Sequence, residues 1–336
     1  MNPLFAPSFS LFSAAGGAYL GESIALAVAV SWTVCALLSE TVSHRLGAHV
    51  VNVLRMVLSL LFIGALLWVC TGSPLPPRAD ATTWGWLLAS GLVGYVFGDY
   101  CLFNAYLLIG SRFGQLFMTI APAVSAVAGW LLLGERLSAQ ALLGMEVTTT
   151  GIAVSILGRG APDGEDEGRR RRKVRLNLPT RGVLLGIGAG VGQGLGLTLS
   201  AVGLKHYAAV WTVAKVGAST AFLLPFAATQ MRAVAGLPGF LLLLFLAGKG
   251  DALRRACTDG RGWLLMAATV VFGPFVGVSL SLMATQYTST GVAMTIMSLS
   301  PVLILWPAHV LFGQRVTRRE VLGALISVAG VALFFV

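Results

Sequence analysis

Charged residues are scarce in this chain: they make up 11% of its 336 residues, whereas a soluble domain carries roughly 25%. This composition cannot cover a water-exposed globular surface, and it does not fit a disordered chain, which is polar and rich in charge. Apolar residues account for 56% of the sequence. The composition therefore predicts a protein that is surrounded mostly by lipid.

Several signatures of other protein classes are also missing. The four cysteines, Cys35, Cys70, Cys101 and Cys257, are widely spaced and form neither a metal-ligand pattern nor an evident disulfide framework. No HExxH, GxSxG or P-loop motif occurs, so we expect no metal, no cofactor and no ATP-driven pumping by this chain alone. Residues 1–21 contain no Lys or Arg, which argues against a secretory signal.

Long continuous apolar runs fill most of the chain, and each can form a helix of the about 20 residues that cross a bilayer. Lipid leaves backbone groups without partners, so only helices or closed barrels span it, and barrel strands would alternate in hydrophobicity. The predicted fold class is an all-α polytopic membrane protein with about ten transmembrane helices. We expect spans at about 23–39, 50–71, 84–108, 113–133, 139–157, 182–203, 227–248, 262–286, 290–312 and 320–336.

The two halves of the chain repeat each other. Pro122, Gly134, Arg136, Gly144 and Gly151 align without a gap with Pro301, Gly313, Arg315, Gly323 and Gly330, and further upstream Arg55 matches Arg232. Five spans are thus repeated, so the second copy is inverted in the membrane. Inverted repeats are typical of secondary transporters, which bind substrate near the midplane between the halves.

This repeat predicts two units, residues 1–158 and 181–336, joined by a charged linker, residues 159–180. An apolar insertion near 208–226 interrupts the second unit and carries Lys215. It could be an eleventh span, an extension of its neighbour, or an interfacial or re-entrant helix. We favour the last, because the first unit has no counterpart.

Two fragments resemble a known family. LLLGERLSAQALLGMEVTTTGIAVSIL and LFGQRVTRREVLGALISVAGVALFF both look like the end of an EamA domain of the drug/metabolite transporter superfamily. GLVGYVFGDYCLFNAYLLIGSRFGQLFMTIAP is similar to the third and fourth helices of that domain. The resemblance implies ten helices and a transporter of small metabolites, amino acids or drugs, often directed outward. Gln314 stands where the first copy has Glu135, so an ionic role of that turn is not shared.

The Lys and Arg residues that give the net charge of +10 mainly indicate how the chain is oriented in the membrane. Loop Lys and Arg residues concentrate on the side of the linker, and those on the other side are Arg78, Arg136, Lys205 and Lys215. The positive-inside rule then places both termini outside. The family resemblance implies the reverse orientation, and the sequence leaves both open.

The basic run Arg169 to Lys173 in the linker is expected to be solvated, with contact to anionic lipid headgroups as the alternative. No stacking aromatics are interleaved with it, so we expect no nucleic-acid partner. A monomer and a homodimer both remain open, and the bacterial inner membrane is the expected location.

Ionisable residues within the spans are costly and therefore mark candidate functional sites. Arg55 and Arg232 could bind a carboxylate or phosphate in one cavity, or snorkel to the interface. Asp99 could carry a coupling proton, bind a cation or form a structural pair with Arg55. Asn104 is expected close to the same face as Asp99, and Glu146 has no counterpart in the second copy.

Small residues and prolines point to packing and kinking. Gly182, Gly186, Gly190 and Gly194 recur every four residues of the sixth span, which favours close helix packing, and Gln193 could reach a substrate from there. Pro122 and Pro301 are expected to kink equivalent helices. Four aromatic residues could line a cavity or face lipid: Trp32, Tyr95, Tyr106 and Phe117.

These observations favour a secondary transporter that moves an amino acid, amine, nucleoside or drug-like compound by alternating access. We expect an exporter, with proton coupling through Asp99. An intramembrane enzyme is the first alternative, built on Ser219 with His206 or His309 as the base, although the spacing of these residues does not require it. A lipid flippase or channel is the second, although the spans contain few polar residues for a pore.

Overall fold

The computed structural model describes residues 19–158, 179–213, 218–256, 259–312 and 316–335. Throughout these ranges the regular elements are helices, as the continuous apolar runs predict. The first repeat contains α1 (Leu20–Leu46), α2 (Ala48–Thr71), α3 (Ala81–Gly91), α4 (Tyr100–Met118), α5 (Ala121–Leu133) and α6 (Ala139–Gly158). The second contains α7 (Thr180–Val213), α8 (Leu224–Leu246), α9 (Gly250–Ala256), α10 (Gly260–Val270), α11 (Ser279–Ala284), α12 (Thr290–Met297), α13 (Ser300–Leu303), α14 (Leu305–Phe312) and α15 (Arg318–Ala332).

Eight helical stretches in the described residues are long and apolar enough to cross a membrane. The continuous helical run from α3 to α4 and the shorter α15 bring the bundle to the expected ten. The protein is an integral multi-pass membrane protein, and successive spans run in opposite directions. We call the end of the bundle where α6 ends and α7 begins the linker face, and the other end the far face.

Helix caps repeat together with the spans. Asp80 and Asp259 cap α3 and α10 by accepting the backbone N–H of Thr83 at 2.9 Å and of Gly262 at 3.1 Å. Their separation in sequence equals that of Pro122 and Pro301. Because a side-chain acceptor satisfies an orphan N–H at a helix start, these two aspartates fix where the third span of each repeat begins.

A π-helical segment interrupts the third span of each repeat. The first covers Leu92–Asp99 and follows α3, and the second covers Val271–Val278 and follows α10. The second includes Pro274, which cannot donate a backbone hydrogen bond. Such segments are rare and frequently occur at functional sites. Their equivalent positions show that the repeat extends to the local distortion of the helix.

The fourth span of each repeat is broken near the proline that the sequence analysis singled out. α4 and α5 are separated by Thr119 and Ile120, and α12 and α13 by Ser298 and Leu299. Pro122 and Pro301 lie in the first turn of α5 and of α13, where their missing N–H has no helical partner to lose. The prolines therefore follow a break between two helices instead of kinking a continuous one.

The last spans of the two repeats, α6 and α15, pack closely along their length. A Cβ added at Gly323 would lie 2.6 Å from the carbonyl oxygen of Gly151, and one at Gly330 would lie 2.5 Å from the backbone nitrogen of Thr148. Such distances leave no room for a side chain, so the small residues allow the two backbones to meet. This contact joins the two repeats.

The segment near 208–226 has two described parts. Its first residues continue α7 as far as Val213, and Ala218–Leu223 form a 3₁₀ helix that leads into α8. Buried Trp211 and Leu223 anchor these parts in an apolar cluster with Tyr207, whose ring meets that of Trp211 at 5.5 Å. Residues 159–178 of the charged linker and Lys215 lie outside the described residues.

Candidate functional site

Asp99 lies at the end of the first π-helical segment and is buried, with 8% of its surface exposed. Its carboxylate accepts a hydrogen bond from Arg55 Nη2 at 2.8 Å and another from Gln193 Nε2 at 2.9 Å. Arg55 comes from α2 and Gln193 from α7, so the contact links the two repeats. A buried charge needs such partners, because removing it from water is otherwise costly.

Close packing of α7 against the π-helical segment brings Gln193 to this carboxylate. A Cβ added at Gly192 would lie 2.7 Å from Gly98 Cα, and one at Gly196 would lie 2.6 Å from Gly94 Cα. At this separation the Gln193 amide also donates to the carbonyl oxygen of Gly94 at 3.2 Å. Paired glycines on facing helices thus bring Gln193 of the second repeat into contact with Asp99 of the first.

Arg232 is the second arginine at the site and is 5% exposed. Its guanidinium carbon lies 4.6 Å from the centre of the Tyr95 ring, within the range of a cation–π interaction. A Cβ added at Gly94 would lie 3.1 Å from its Nη2 atom. Within the described ranges it has no carboxylate at ion-pair distance. Its charge is balanced less completely than that of Arg55.

Three buried polar atoms in this group have no hydrogen-bond partner among the described residues: Arg55 Nε, Arg232 Nε and the Tyr95 hydroxyl. All can donate a hydrogen bond. We call Arg55, Tyr95, Asp99, Gln193 and Arg232 the arginine cluster. With two guanidinium groups and one carboxylate, it carries a net charge of +1 when all three are ionised.

Arg55 and Arg232 are equivalent residues of the two repeats, whereas Asp99 has no acidic counterpart in the second repeat. Arg55 and Arg232 occupy equivalent places in α2 and α8, which run in opposite directions. Asp99 is the last residue of its π-helical segment, and the last residue of the other segment is Val278. The arginine cluster is therefore asymmetric, with its single carboxylate contributed by the first repeat.

Two other predicted residues lie apart from these contacts. The Asn104 side chain donates to the Tyr100 carbonyl oxygen of its own helix at 2.7 Å. Five residues of α-helix turn by about 140° beyond a full circle, so Asn104 does not share the face of Asp99. Glu146 is exposed on α6.

The glycine row in α7 lies against the fourth span. A Cβ at Gly186 would lie 2.5 Å from the Phe117 ring, and one at Gly190 would lie 2.6 Å from the Phe117 carbonyl oxygen. A Cβ at Gly194 would lie 2.6 Å from the carbonyl oxygen of Ala121. The side chains of Ser219 and His309, and the run Arg169 to Lys173, fall outside the described parts of the chain.

Two hydrogen-bonded links join the repeats at the far face, and neither is predicted from the sequence. The Glu135 carboxylate accepts the backbone N–H of Thr290 at 2.9 Å and its hydroxyl at 2.8 Å, at the first residue of α12. The Glu22 carboxylate accepts the Thr288 hydroxyl at 2.6 Å. Partial burial raises the pKa of Glu135, and its hydrogen bonds to Thr290 oppose that shift. A cavity of about 150 Å³ beside Glu135 also contacts Lys205.

A further ion pair joins the repeats at the linker face. Arg45 near the end of α1 donates from Nη2 to Asp259 Oδ1 at 2.7 Å, and its Nε also contacts this carboxylate. The hydrogen bond from Arg45 holds the pKa of Asp259 below its usual range. Polar links are thus present at both ends of the bundle, with the arginine cluster between them.

Comparison with known proteins gives a family match over both repeats. The profile of the EamA-like transporter family matches residues 19–157 and again residues 180–336. A crystal structure of another protein superposes with a TM-score of 0.63, covering 94% of this chain and 96% of that one, at 16% identity. At that identity the likeness shows the fold alone. A search of curated proteins found no match.

Proposed function

Because the chain belongs to the EamA-like transporter family, we propose that it is a secondary transporter that moves a small metabolite by alternating access. The observation that carries this proposal is the arginine cluster, buried between two inverted repeats beside a π-helical segment. Ionisable groups at such a position are costly, and in membrane proteins they mark the path of a substrate or ion. The inverted repeat supplies the two halves that rock about this site.

The polar links at the two faces support the alternating part of the proposal. Glu22 and Glu135 hold the turn before α12 at the far face, and Arg45 holds Asp259 at the linker face. Each link is made of a few hydrogen bonds, which are worth about 1 kcal/mol apiece and so can be exchanged during transport. Opening one face requires its links to break while those at the other face remain.

Asp99 is the proposed carrier of a coupling proton. A proton from the aqueous side that binds the carboxylate would cancel its charge and weaken its bond to Arg55. Arg55 Nη2 would then be free to bind another acceptor. Proton binding at Asp99 therefore makes the positive charge of Arg55 available to another ligand. Export as the direction, and the bacterial inner membrane as the location, rest on the family resemblance alone.

The test is uptake by purified protein in liposomes, with a broad panel of amino acids, nucleosides, amines and sugars. We expect saturable uptake of at least one compound that an imposed proton gradient accelerates. Asp99→Asn should abolish the acceleration, while Asp251→Asn, the same change at an exposed residue of α9, should leave it intact. Absence of uptake across the panel would refute the transporter, and gradient-driven uptake by Asp99→Asn would refute the role of Asp99.

A further inference from the structure

The two arginines of the cluster differ in how their charge is balanced. Arg55 donates to the Asp99 carboxylate at 2.8 Å, and that carboxylate is also held by Gln193. Arg232 is 95% buried yet contacts a π face and no anion among the described residues. A guanidinium stays protonated in proteins, so it cannot escape this situation by losing its charge. The cluster thus carries one positive charge in excess.

Tyr95 adds a second unused donor next to this charge. Its ring is 7% exposed and lies under the Arg232 guanidinium, and its hydroxyl has no hydrogen-bond partner in the described part of the chain. Arg232 Nε is likewise without a partner there. Buried hydrogen-bond donors in proteins nearly always have an acceptor. The Tyr95 hydroxyl and Arg232 Nε lie beside the uncompensated charge of Arg232, so the missing acceptor is expected to be an anion.

We propose that the transported compound carries one anionic group, a carboxylate or a phosphate monoanion, which binds to Arg232 with the Tyr95 hydroxyl as a further donor. This inference rests on the proposed transport function and specifies its substrate class. The planar guanidinium fork matches both groups, because each presents two or more oxygens on one side. A bound monoanion brings the charge of the cluster to zero. A cationic amine would raise it to +2, so amines without an acidic group are excluded.

Binding is measured first, on the full-length purified protein in a zwitterionic detergent. Four probes share one ring and differ in the attached group: benzoate, phenyl phosphate, benzyl alcohol and benzylamine. They are compared at about pH 5, below the second phosphate pKa of about 6, so that phenyl phosphate is a monoanion. We expect benzoate or phenyl phosphate to raise the melting temperature with a saturable concentration dependence. The neutral and cationic probes should leave it unchanged. The comparison of the two anions distinguishes carboxylate from phosphate recognition.

The variants assign the effect to the two donors. Arg232→Gln should weaken binding of the anionic probe at least about tenfold, since it removes a charge-assisted pair of hydrogen bonds. Tyr95→Phe, which deletes one hydroxyl and keeps the ring, should weaken it about fivefold. Arg232→Lys keeps the charge without the fork and should retain a weakened anion preference. Arg254→Gln, the same change at an exposed arginine of α9, should bind as the unaltered protein does.

A lipid headgroup could present the same phosphate chemistry. The benzoate titration is therefore repeated in nanodiscs of phosphatidylcholine, with and without phosphatidylglycerol. Unchanged affinity supports a water-soluble anion as the ligand. Displacement of benzoate by phosphatidylglycerol would overturn the soluble substrate in favour of a lipid.

Counterflow in liposomes, which measures the exchange of external for internal probe, distinguishes the proposed transport function from the proposed anionic substrate class. Binding and exchange of an anionic probe support both. Binding without exchange supports an anion site at Arg232 and contradicts transport. Three outcomes would overturn the anionic substrate class. The protein could prefer benzylamine or benzyl alcohol to the anions, or it could bind none of the four probes. The third outcome is unchanged anion affinity in both Arg232→Gln and Tyr95→Phe. If Arg232→Gln does not fold, unchanged anion affinity in Tyr95→Phe alone would overturn this substrate class.

Discussion

Replacing Asp99 with asparagine removes the negative charge that partners Arg55 at 2.8 Å, while keeping the size of the side chain and an acceptor for Gln193. Both partners are largely buried, with side-chain exposures of 20% for Arg55 and 12% for Asp99. Two unit charges about 4 Å apart attract by about 4 kcal/mol at an effective dielectric constant of 20. Breaking a buried pair from one side costs a similar amount, about 3–5 kcal/mol.

The two single variants are expected to differ because Arg232 lies in the same cluster. Asp99→Asn leaves two buried cations and a net charge of +2, whereas Arg55→Gln leaves Asp99 with Arg232 and a net charge of zero. We therefore expect the first to lose about 3–5 kcal/mol of unfolding free energy and the second clearly less. The double variant should recover part of the loss, with a coupling energy of about 2 kcal/mol or more.

The assay is reversible unfolding in mixed micelles of a mild detergent and sodium dodecyl sulfate, applied to all members of the cycle. Gln193→Leu serves as the control, since it removes hydrogen bonds donated by an uncharged amide. It should lower the free energy of unfolding by about 1–3 kcal/mol. Equal losses for Asp99→Asn and Arg55→Gln, together with a coupling energy near zero, would refute the excess positive charge on which the account of the cluster depends.

Three further predictions concern packing and the two faces. Gly196→Leu should separate α7 from the π-helical segment and lower the unfolding midpoint severely, whereas Gly85→Ala, where no neighbour lies within 4 Å, should stabilise the helix by about 0.5–1 kcal/mol. Arg45→Gln should lower the unfolding midpoint at neutral pH. The pKa of Asp259 is depressed, so this difference should persist above the usual aspartate pKa and vanish as the pH falls through the lowered value. Glu135→Ala should cost about 1–2 kcal/mol in the same assay by removing the acceptor of the Thr290 N–H and hydroxyl; an unchanged midpoint would show that this link between the repeats does not contribute to stability.

The span positions and the family could be predicted from the sequence, because both depend on local features. Apolar runs report burial in lipid directly, and matched prolines and glycines reveal the repeat without knowledge of packing. The same repeat pointed to Arg55 and Arg232 as equivalent residues. The helical content and the family match confirm the predicted fold class and family.

The arrangement inside the site depends on helix register, which the sequence does not specify. These spans are apolar on every side, so periodicity does not show which face of a span meets a neighbour. The spacing predicts Asp99 and Asn104 close to one face, whereas the Asn104 side chain donates to the Tyr100 carbonyl oxygen of its own helix. The π-helical segments have no sequence signal of their own, and the sequence marks Tyr95 only as one of four aromatic residues that could line a cavity or face lipid.

The links at the faces were missed for a different reason. The repeat aligns Glu135 with Gln314 and so predicts no ionic role that the two turns share. Its actual partner is Thr290, which lies far away in sequence and offers an unsatisfied backbone N–H at a helix start. Contacts of this kind arise only when the two inverted halves are assembled.

Accessibility of a single cysteine at position 193 tests the central claim most directly. Gln193→Cys is introduced in a background without the four native cysteines, and a membrane-impermeant thiol reagent is applied from each side of the membrane. The account predicts labelling from both sides. A short bifunctional thiol cross-linker that joins Glu22→Cys and Thr288→Cys, the residues whose side-chain oxygens lie 2.6 Å apart, should then abolish labelling from the far face alone. Labelling from one side only without the cross-link, or labelling from the far face that persists with it, would contradict alternating access.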